Sequence, residues 1–398
     1  MAHLPDAPLP PLLGTLPLEG ELIRQKLAGS LITSIHENDV PEFAAAALDR
    51  LHGSLYASVR HLQLCNEFHP VPHTWVCYHQ GEISGVLLFR IESGRVLVLT
   101  EMIMLSQAQA DAFVHSVFAR YPQVKTISFN AISTQFYKLA LPAQRYIFSE
   151  NYILDLPPDR DTYLARLGKS SRKTIKGYGN RLQKEHPDFA WQAISCAELS
   201  VLEQQTLVQR LQQFKRDSMA ARNKQAVIEE EESRRLLKLA SECGLFGIAR
   251  INGEICGGSL SCRIGDNYVM LLSAADPLLE QYRLGLLICY WSVCDCIARG
   301  ALQCHLLWGR YQYKNQLLAV PYDLIRLTVY RSRWQMLLMP ATVLRLVASK
   351  SWYGLRQWLL YEVQERSDSL SRLITYAVHR VRALKNRKYM MACQQADG

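Results

Sequence analysis

Apolar and polar positions alternate in two separate stretches of this chain, and both read as antiparallel meanders of three strands. The first is WVCYHQGEISGVLLFRIESGRVLVLT, residues 75–100; the second is LFGIARINGEICGGSLSCRIGDNYVMLLS, residues 245–273. Gln80-Gly81 and Ser93-Gly94 punctuate the first, Asn252-Gly253 and Gly265-Asp266 the second. Such pairs suit two-residue hairpins because glycine adopts positive φ without steric cost. The pattern then switches to helical spacing at 107–120 and at 284–299, and each helix leads into an apolar strand, 124–130 and 302–308. GEISG at 81–85 and GEICG at 253–257 mark the same point in both copies. Meander, helix and strand recurring in one order predict a duplicated α/β lobe.

The rest of the chain fits around that repeat. Residues 1–28 are a Pro-rich leader, and 29–150 form the first lobe, with a strand at LITSIH and helical segments through PEFAAAALDRLHGSLY. Residues 151–330 form the second lobe, entered by a strand over 146–156. A helix over 161–185 follows Pro157 and Pro158, with Asp159 or Asp161 as its cap. Two more helices precede the second meander, and Gly244 is placed to stop the latter of them. Residues 331–398 read as a helical, basic tail.

Composition adds little to the fold but narrows the partners. The chain has 398 residues, enough for two cores. A formal charge of +9 suits an anionic partner. The eleven cysteines are scattered. Cys294 and Cys296 point to different sides of a helix, so they read as small buried hydrophobes in a reducing compartment and no metal site is expected. The proline-broken start lacks a signal peptide's apolar stretch, and no run is apolar enough to span a bilayer. A cytoplasmic protein is expected, peripheral at the inner membrane face if the tail (with Trp334, Trp352, Tyr353 and Trp358 among its cations) contacts anionic lipid. Packing of the tail on the second lobe is the competing expectation.

Three stretches carry candidate chemistry. The helix over 161–185 holds seven cations, among them Arg172 and Lys173, suited to phosphate or an anionic acceptor. Aromatics are not interleaved through it as single-strand nucleic acid binders require, which argues against nucleic acid. At 276–291 a loop opens a helix through Arg283, Leu284, Gly285, Leu286 and Leu287, where unpaired N–H groups can receive a phosphate. The first lobe offers no glycine or cation at the matching place. At 305–319 an apolar strand ends at Trp308 and is followed by Arg310, Tyr313 and Lys314, polar groups just past a strand end.

Together, the basic SSRKTIKGYGNRLQKE segment, the second meander, AADPLLEQYRLGLLICYWSVCDCIARG and LLWGRYQYK resemble the tandem-lobe acetyltransferases of the GNAT superfamily. The resemblance is to the CelD/BcsL-type group linked to cellulose and exopolysaccharide biosynthesis, which is similar to the Fem aminoacyl transferases. It implies two tandem GNAT-like lobes, with mixed, largely antiparallel sheets flanked by helices, the first lobe degenerate. It implies an acyl-CoA co-substrate at Arg283–Leu287 and transfer to an amine or hydroxyl of a cell-envelope, polysaccharide or small-molecule acceptor. Tyr313 would protonate the leaving thiolate and Lys314 would stabilise the developing negative charge; Arg172, Lys173 and Arg310 would bind substrate. The superfamily loop [Gln/Arg]-x-x-Gly-x-[Gly/Ala] keeps one glycine of two here, and Tyr313-Lys314 lacks the Phe-Gly that follows in Fem relatives. Aminoacyl transfer from tRNA and a catalytically inactive regulatory protein are the alternative readings.

Overall fold

The computed structural model describes residues 31–65, 68–134, 138–221 and 230–358. The leader over 1–28 and the part of the tail beyond Trp358 lie outside the described residues. The first half comprises β1 (Leu31–His36), α1 (Glu42–His52), α2 (Val59–Leu64), β2 (His73–His79), β3 (Glu82–Glu92), β4 (Arg95–Val98), β5 (Ile103–Met104), α3 (Gln107–Arg120), β6 (Thr126–Ser133) and β7 (Ala143–Asp155). The second comprises α4 (Arg160–Arg166), α5 (Lys169–Glu185), β8 (Ala190–Ser195), α6 (Val201–Ala221), α7 (Glu230–Cys243), β9 (Gly244–Ile251), β10 (Glu254–Ile264), β11 (Asn267–Ala275), α8 (Leu284–Ala298), β12 (Gln303–Leu307), α9 (Gln312–Gln316) and β13 (Val320–Tyr330). Two helices follow, α10 (Arg333–Leu337) and α11 (Pro340–Gln357).

The expected repeat is present. β2–β3–β4, α3 and β6 are matched by β9–β10–β11, α8 and β12. Gln80 and Gly81, Ser93 and Gly94, and Asn252 and Gly253 all take positive φ, as two-residue turns between twisted strands require. In each half the third meander strand pairs in parallel with the strand after the helix, β4 with β6 and β11 with β12. The result is a mixed α/β fold with a large, mostly antiparallel sheet flanked by helices.

The two halves share one sheet of 13 strands, ordered β1-β2-β3-β4-β6-β13-β7-β12-β11-β10-β9-β8, with β5 on β6. β7 and β13 form its centre and pair antiparallel from Val320↔Ile153 to Val329↔Ala143. They are exchanged: β13, the last strand of the second half, pairs with β6 of the first, while β7 pairs with β12 of the second. A cut at 150/151 would therefore pass through β7.

The basic helix expected over 161–185 is two helices. Leu167 and Gly168 are extended between α4 and α5, at ψ 141° and 148°. Leu167 continues the helical apolar spacing, but its side chain is buried in the second lobe's core beside Tyr163, and the chain bends to put it there. Asp159 is the cap of α4, accepting from the Thr162 N–H at 2.7 Å. Gly244 ends α7 and begins β9 directly. A Cβ there would run into the Ala240 carbonyl and the Cys196 thiol.

Candidate active site

The site begins where two parallel strands part. β11 and β12 pair only from Asn267↔Gln303 to Val269↔His305. Beyond that point β11 is bulged by one residue at Leu271, opposite Leu260 and Ser261 of β10. β12 is also irregular, slipping against β7 between His305 and Leu307. The strands diverge, and a cleft of about 1180 Å³ opens between their ends, lined by Met270–Ala275 on one side and Leu306–Trp308 on the other.

The start of α8 forms one end of this cleft, where Arg283, Leu284, Gly285 and Leu286 line it. Arg283 takes a left-handed backbone, φ 48° and ψ 41°, so the preceding turn ends sharply before α8 begins. Its guanidinium lies over the Tyr178 ring of α5, 5.6 Å from the centroid. The N–H groups of Leu284 and Gly285 meet no acceptor among the described residues, as befits a helix start. A Cβ on Gly285 would meet nothing within 4 Å. An anion can thus approach the backbone here, and the donor set fits a phosphate. Leu287 is buried behind this edge and does not line the cleft.

The end of β12 forms the other wall. Leu307 has φ 57° and Leu318 φ 69°, both in the left-handed region that branched side chains avoid. Lys314 holds the first of these bends. It is 1% exposed, and its ammonium donates to the Leu307 carbonyl at 3.0 Å and the Trp308 carbonyl at 2.7 Å. The same nitrogen sits over the Tyr152 ring at 4.8 Å. Burial lowers its pKa to about 8, against the partial support of Glu150 and Cys289. From behind, the buried Tyr163 hydroxyl donates to the Leu317 carbonyl at 3.0 Å, tying α4 to the turn after α9. Two of the three ammonium donors are therefore committed to strand-end carbonyls.

Tyr313 lines the cleft, and its hydroxyl meets no hydrogen-bond partner among the described residues. Burial raises its pKa far above the usual phenol value, so it stays protonated. A phenol made a weaker acid is better suited to donating a hydrogen bond to a leaving sulfur than to surrendering its proton. Arg172 and Lys173, near the start of α5, are not part of the cleft wall. Nor is Arg310, whose Nε lies 3.6 Å from the buried carboxylate of Glu150. The structure thus brings Arg283–Leu286 together with Tyr313 and Lys314, and leaves the three expected substrate-binding cations outside.

The first lobe supplies a wall that sequence reasoning missed. Tyr56, His61, Cys65 and Glu101 line the cleft opposite α8. The Tyr56 ring packs edge-on against His61 at 4.8 Å and tilts on Trp308 at 5.6 Å, linking the two lobes across the opening. His61 is held neutral, its pKa lowered to about 4 by burial and by Arg235. Its Nε2 lies 3.5 Å from the Cys65 thiol, and Arg235 of α7 reaches the same sulfur at 3.8 Å. α6 and α7 add Lys215, Arg234 and Lys238, giving this flank a positive field. Among the described residues no group of three or more His, Cys, Asp or Glu side chains could hold a metal ion.

The second-lobe parts of this cleft lie within a segment that matches a known domain family. Residues 169–315 match the acetyltransferase (GNAT) domain family. The GNAT match runs from the first residue of α5 into α9, and so includes the parted strands, the start of α8 and Lys314. Among solved structures, FemX is similar over 77% of this chain and 99% of its own, at 9% identity and a TM-score of 0.54. L-PGS from Bacillus licheniformis is similar over 78% of this chain and 98% of its own, at 13% identity and a TM-score of 0.42. A tandem GNAT protein from the clavulanic acid biosynthesis pathway is similar over 75% of this chain and 98% of its own, at 12% identity and a TM-score of 0.36. At such identities the FemX likeness speaks to the fold alone. No match was found among curated proteins.

Proposed function

We propose that the protein is an acyl-CoA-dependent N- or O-acyltransferase of the CelD/BcsL type, acting on a cell-envelope, polysaccharide or small amine or hydroxyl acceptor. The observation that carries this reading is the cleft between the parted strands β11 and β12, with the open backbone of Gly285 at one end. A pantetheine arm is a narrow amide chain, and the parted strands leave backbone edges for it to pair with. The Leu284 and Gly285 N–H groups would hold the donor's pyrophosphate, with Arg283 beside them.

In the reaction, the acceptor's nitrogen or oxygen attacks the thioester carbonyl, a tetrahedral oxyanion forms, and the carbon–sulfur bond breaks as the carbonyl is restored. The acceptor proton must leave to solvent or to the acceptor's own surroundings. His61 lines the cleft wall, but burial and the Arg235 charge disfavour its protonated form and suit it to shaping the wall rather than taking the proton. The thiolate is met by the Tyr313 hydroxyl. Lys314 keeps a positive charge close to the strand end, where it stabilises charge that develops in the transition state. Its firmest role is to set the path of Leu307 and Trp308.

A pH profile follows from the lowered Lys314 pKa. The side chain is charged below about pH 8 and loses its proton above it. Turnover with a non-titrating hydroxyl acceptor is expected to fall as pH rises through about 8, and Lys314→Arg is expected to move that fall upward. The sign for stability is opposite. Below about pH 8 the cost of burying this charge is fully present, and it is relieved as pH rises toward the ordinary lysine value, because the unfolded chain then binds more protons. An alkaline limb that is identical in wild type and Lys314→Arg would show that another group titrates.

The donor is tested by offering the purified protein acetyl-CoA and an aminoacyl-tRNA in parallel. Product release of CoA with transfer supports the proposal. Transfer from the tRNA alone would replace it with a Fem-like reaction, and a protein that uses neither would be a regulatory relative.

A further inference from the structure

The helices after β13 carry their apolar side outward. Arg331 fixes where they leave the body, donating to the carbonyls of Phe118, Tyr121 and Val124 at 3.0, 2.6 and 2.7 Å. From there, Trp334, Leu337 and Leu338 of α10 and its end are 76%, 69% and 74% exposed. Along α11, Leu344, Trp352 and Leu355 are 66%, 69% and 47% exposed. Within α11 the exposed Ala341, Leu344, Ala348, Trp352 and Leu355 recur every three or four residues, so they form one stripe, and the exposed apolar residues of α10 precede it. Half-buried Thr342, Val343, Leu346 and Ser349 occupy the opposite side. An amphipathic helix normally turns its apolar stripe to the core, and this one does the reverse.

The charge around the stripe selects what covers it. Residues 331–358 include Arg331, Arg333, Arg345, Lys350 and Arg356 and no Asp or Glu. Arg333, Arg345 and Lys350 are exposed. A second copy of the chain would bring cations against cations. The following segment, 359–398, holds seven Lys or Arg against four Asp or Glu, the same sign again. We infer that this face docks on an anionic lipid surface, with Trp334 and Trp352 at the headgroup level and the cations among the phosphates. Among the described residues no helix is long and apolar enough to cross a membrane, which suits a helix that lies on one. The inference is independent of the identity of the acyl donor.

The test uses the full chain in flotation with vesicles of equal parts phosphatidylcholine and phosphatidylglycerol, and with phosphatidylcholine alone. Binding is expected to the anionic vesicles, to weaken severalfold as salt rises from low to physiological, and to be near background on the neutral ones. Tryptophan emission should shift to the blue and be quenched by brominated lipid. Leu344→Glu combined with Trp352→Glu, both at solvent-facing positions, should lower vesicle binding at least tenfold without changing the melting temperature. Three results would overturn the inference. One is flotation unaffected by the double substitution. Another is a wild-type dimer that the substitution dissolves, which would give the face to a second copy. The third is no vesicle binding with Trp334 and Trp352 shielded from soluble quenchers, which would give it to 359–398.

Discussion

Lys314→Met is expected to lower turnover by about 10²–10³, the usual loss when one group that stabilises a developing oxyanion is removed. The structure adds a second consequence. Methionine fills most of the same volume but leaves the Leu307 and Trp308 carbonyls without their donor. An unsatisfied buried carbonyl costs about 1–3 kcal/mol, partly offset here because the buried charge is removed as well. A modest fall in melting temperature should therefore accompany the kinetic loss. Affinity for CoA should change little, since the proposed phosphate contacts are the backbone N–H groups at the start of α8 and not Lys314. The expected signature is a fall in kcat with unchanged donor binding. Wild-type turnover in a folded Lys314→Met protein would remove Lys314 from the mechanism, including its part in setting the strand end.

Much of this fold was legible because its signals are local. A two-residue turn needs positive φ, and Gly81, Gly94 and Gly253 supply it in place, so the meanders could be read from the pattern alone. β13 was not read as a strand. Its partners β6 and β7 come far earlier in the chain, and nothing in VPYDLIRLTVY signals an exchange between lobes. The break at Leu167 was hidden for a similar reason, since an apolar residue in helical register looks like more helix until the core that receives it is known.

The site was legible in the same measure. Gly285 and the Tyr313-Lys314 pair stood out by their place after a strand or before a helix, and the structure gathers them into one cleft. What Lys314 touches was not readable, because its carbonyl partners are defined by the left-handed turn at Leu307, a conformation that leucine does not advertise. The first lobe's wall was invisible for want of any local signal. Cys65 and Arg235 meet across 170 residues of sequence. The cations Arg172 and Lys173 were prominent in sequence only because they are concentrated, and they do not line the cleft.

The central claim, that the donor's phosphates rest on the start of α8, is tested most directly by calorimetric titration of CoA into wild type and Gly285→Asp. The substitution is well suited because a Cβ at Gly285 meets open space and an acidic side chain is favoured at a helix start, so folding should be unharmed. A carboxylate about 5 Å from a phosphate at an effective dielectric near 20 opposes binding by about 3 kcal/mol, roughly a hundredfold in Kd. The account predicts saturable binding by wild type and a loss of about that size in a variant with an unchanged melting temperature. Equal CoA affinity in the two proteins, or no binding by wild type at all, would contradict it.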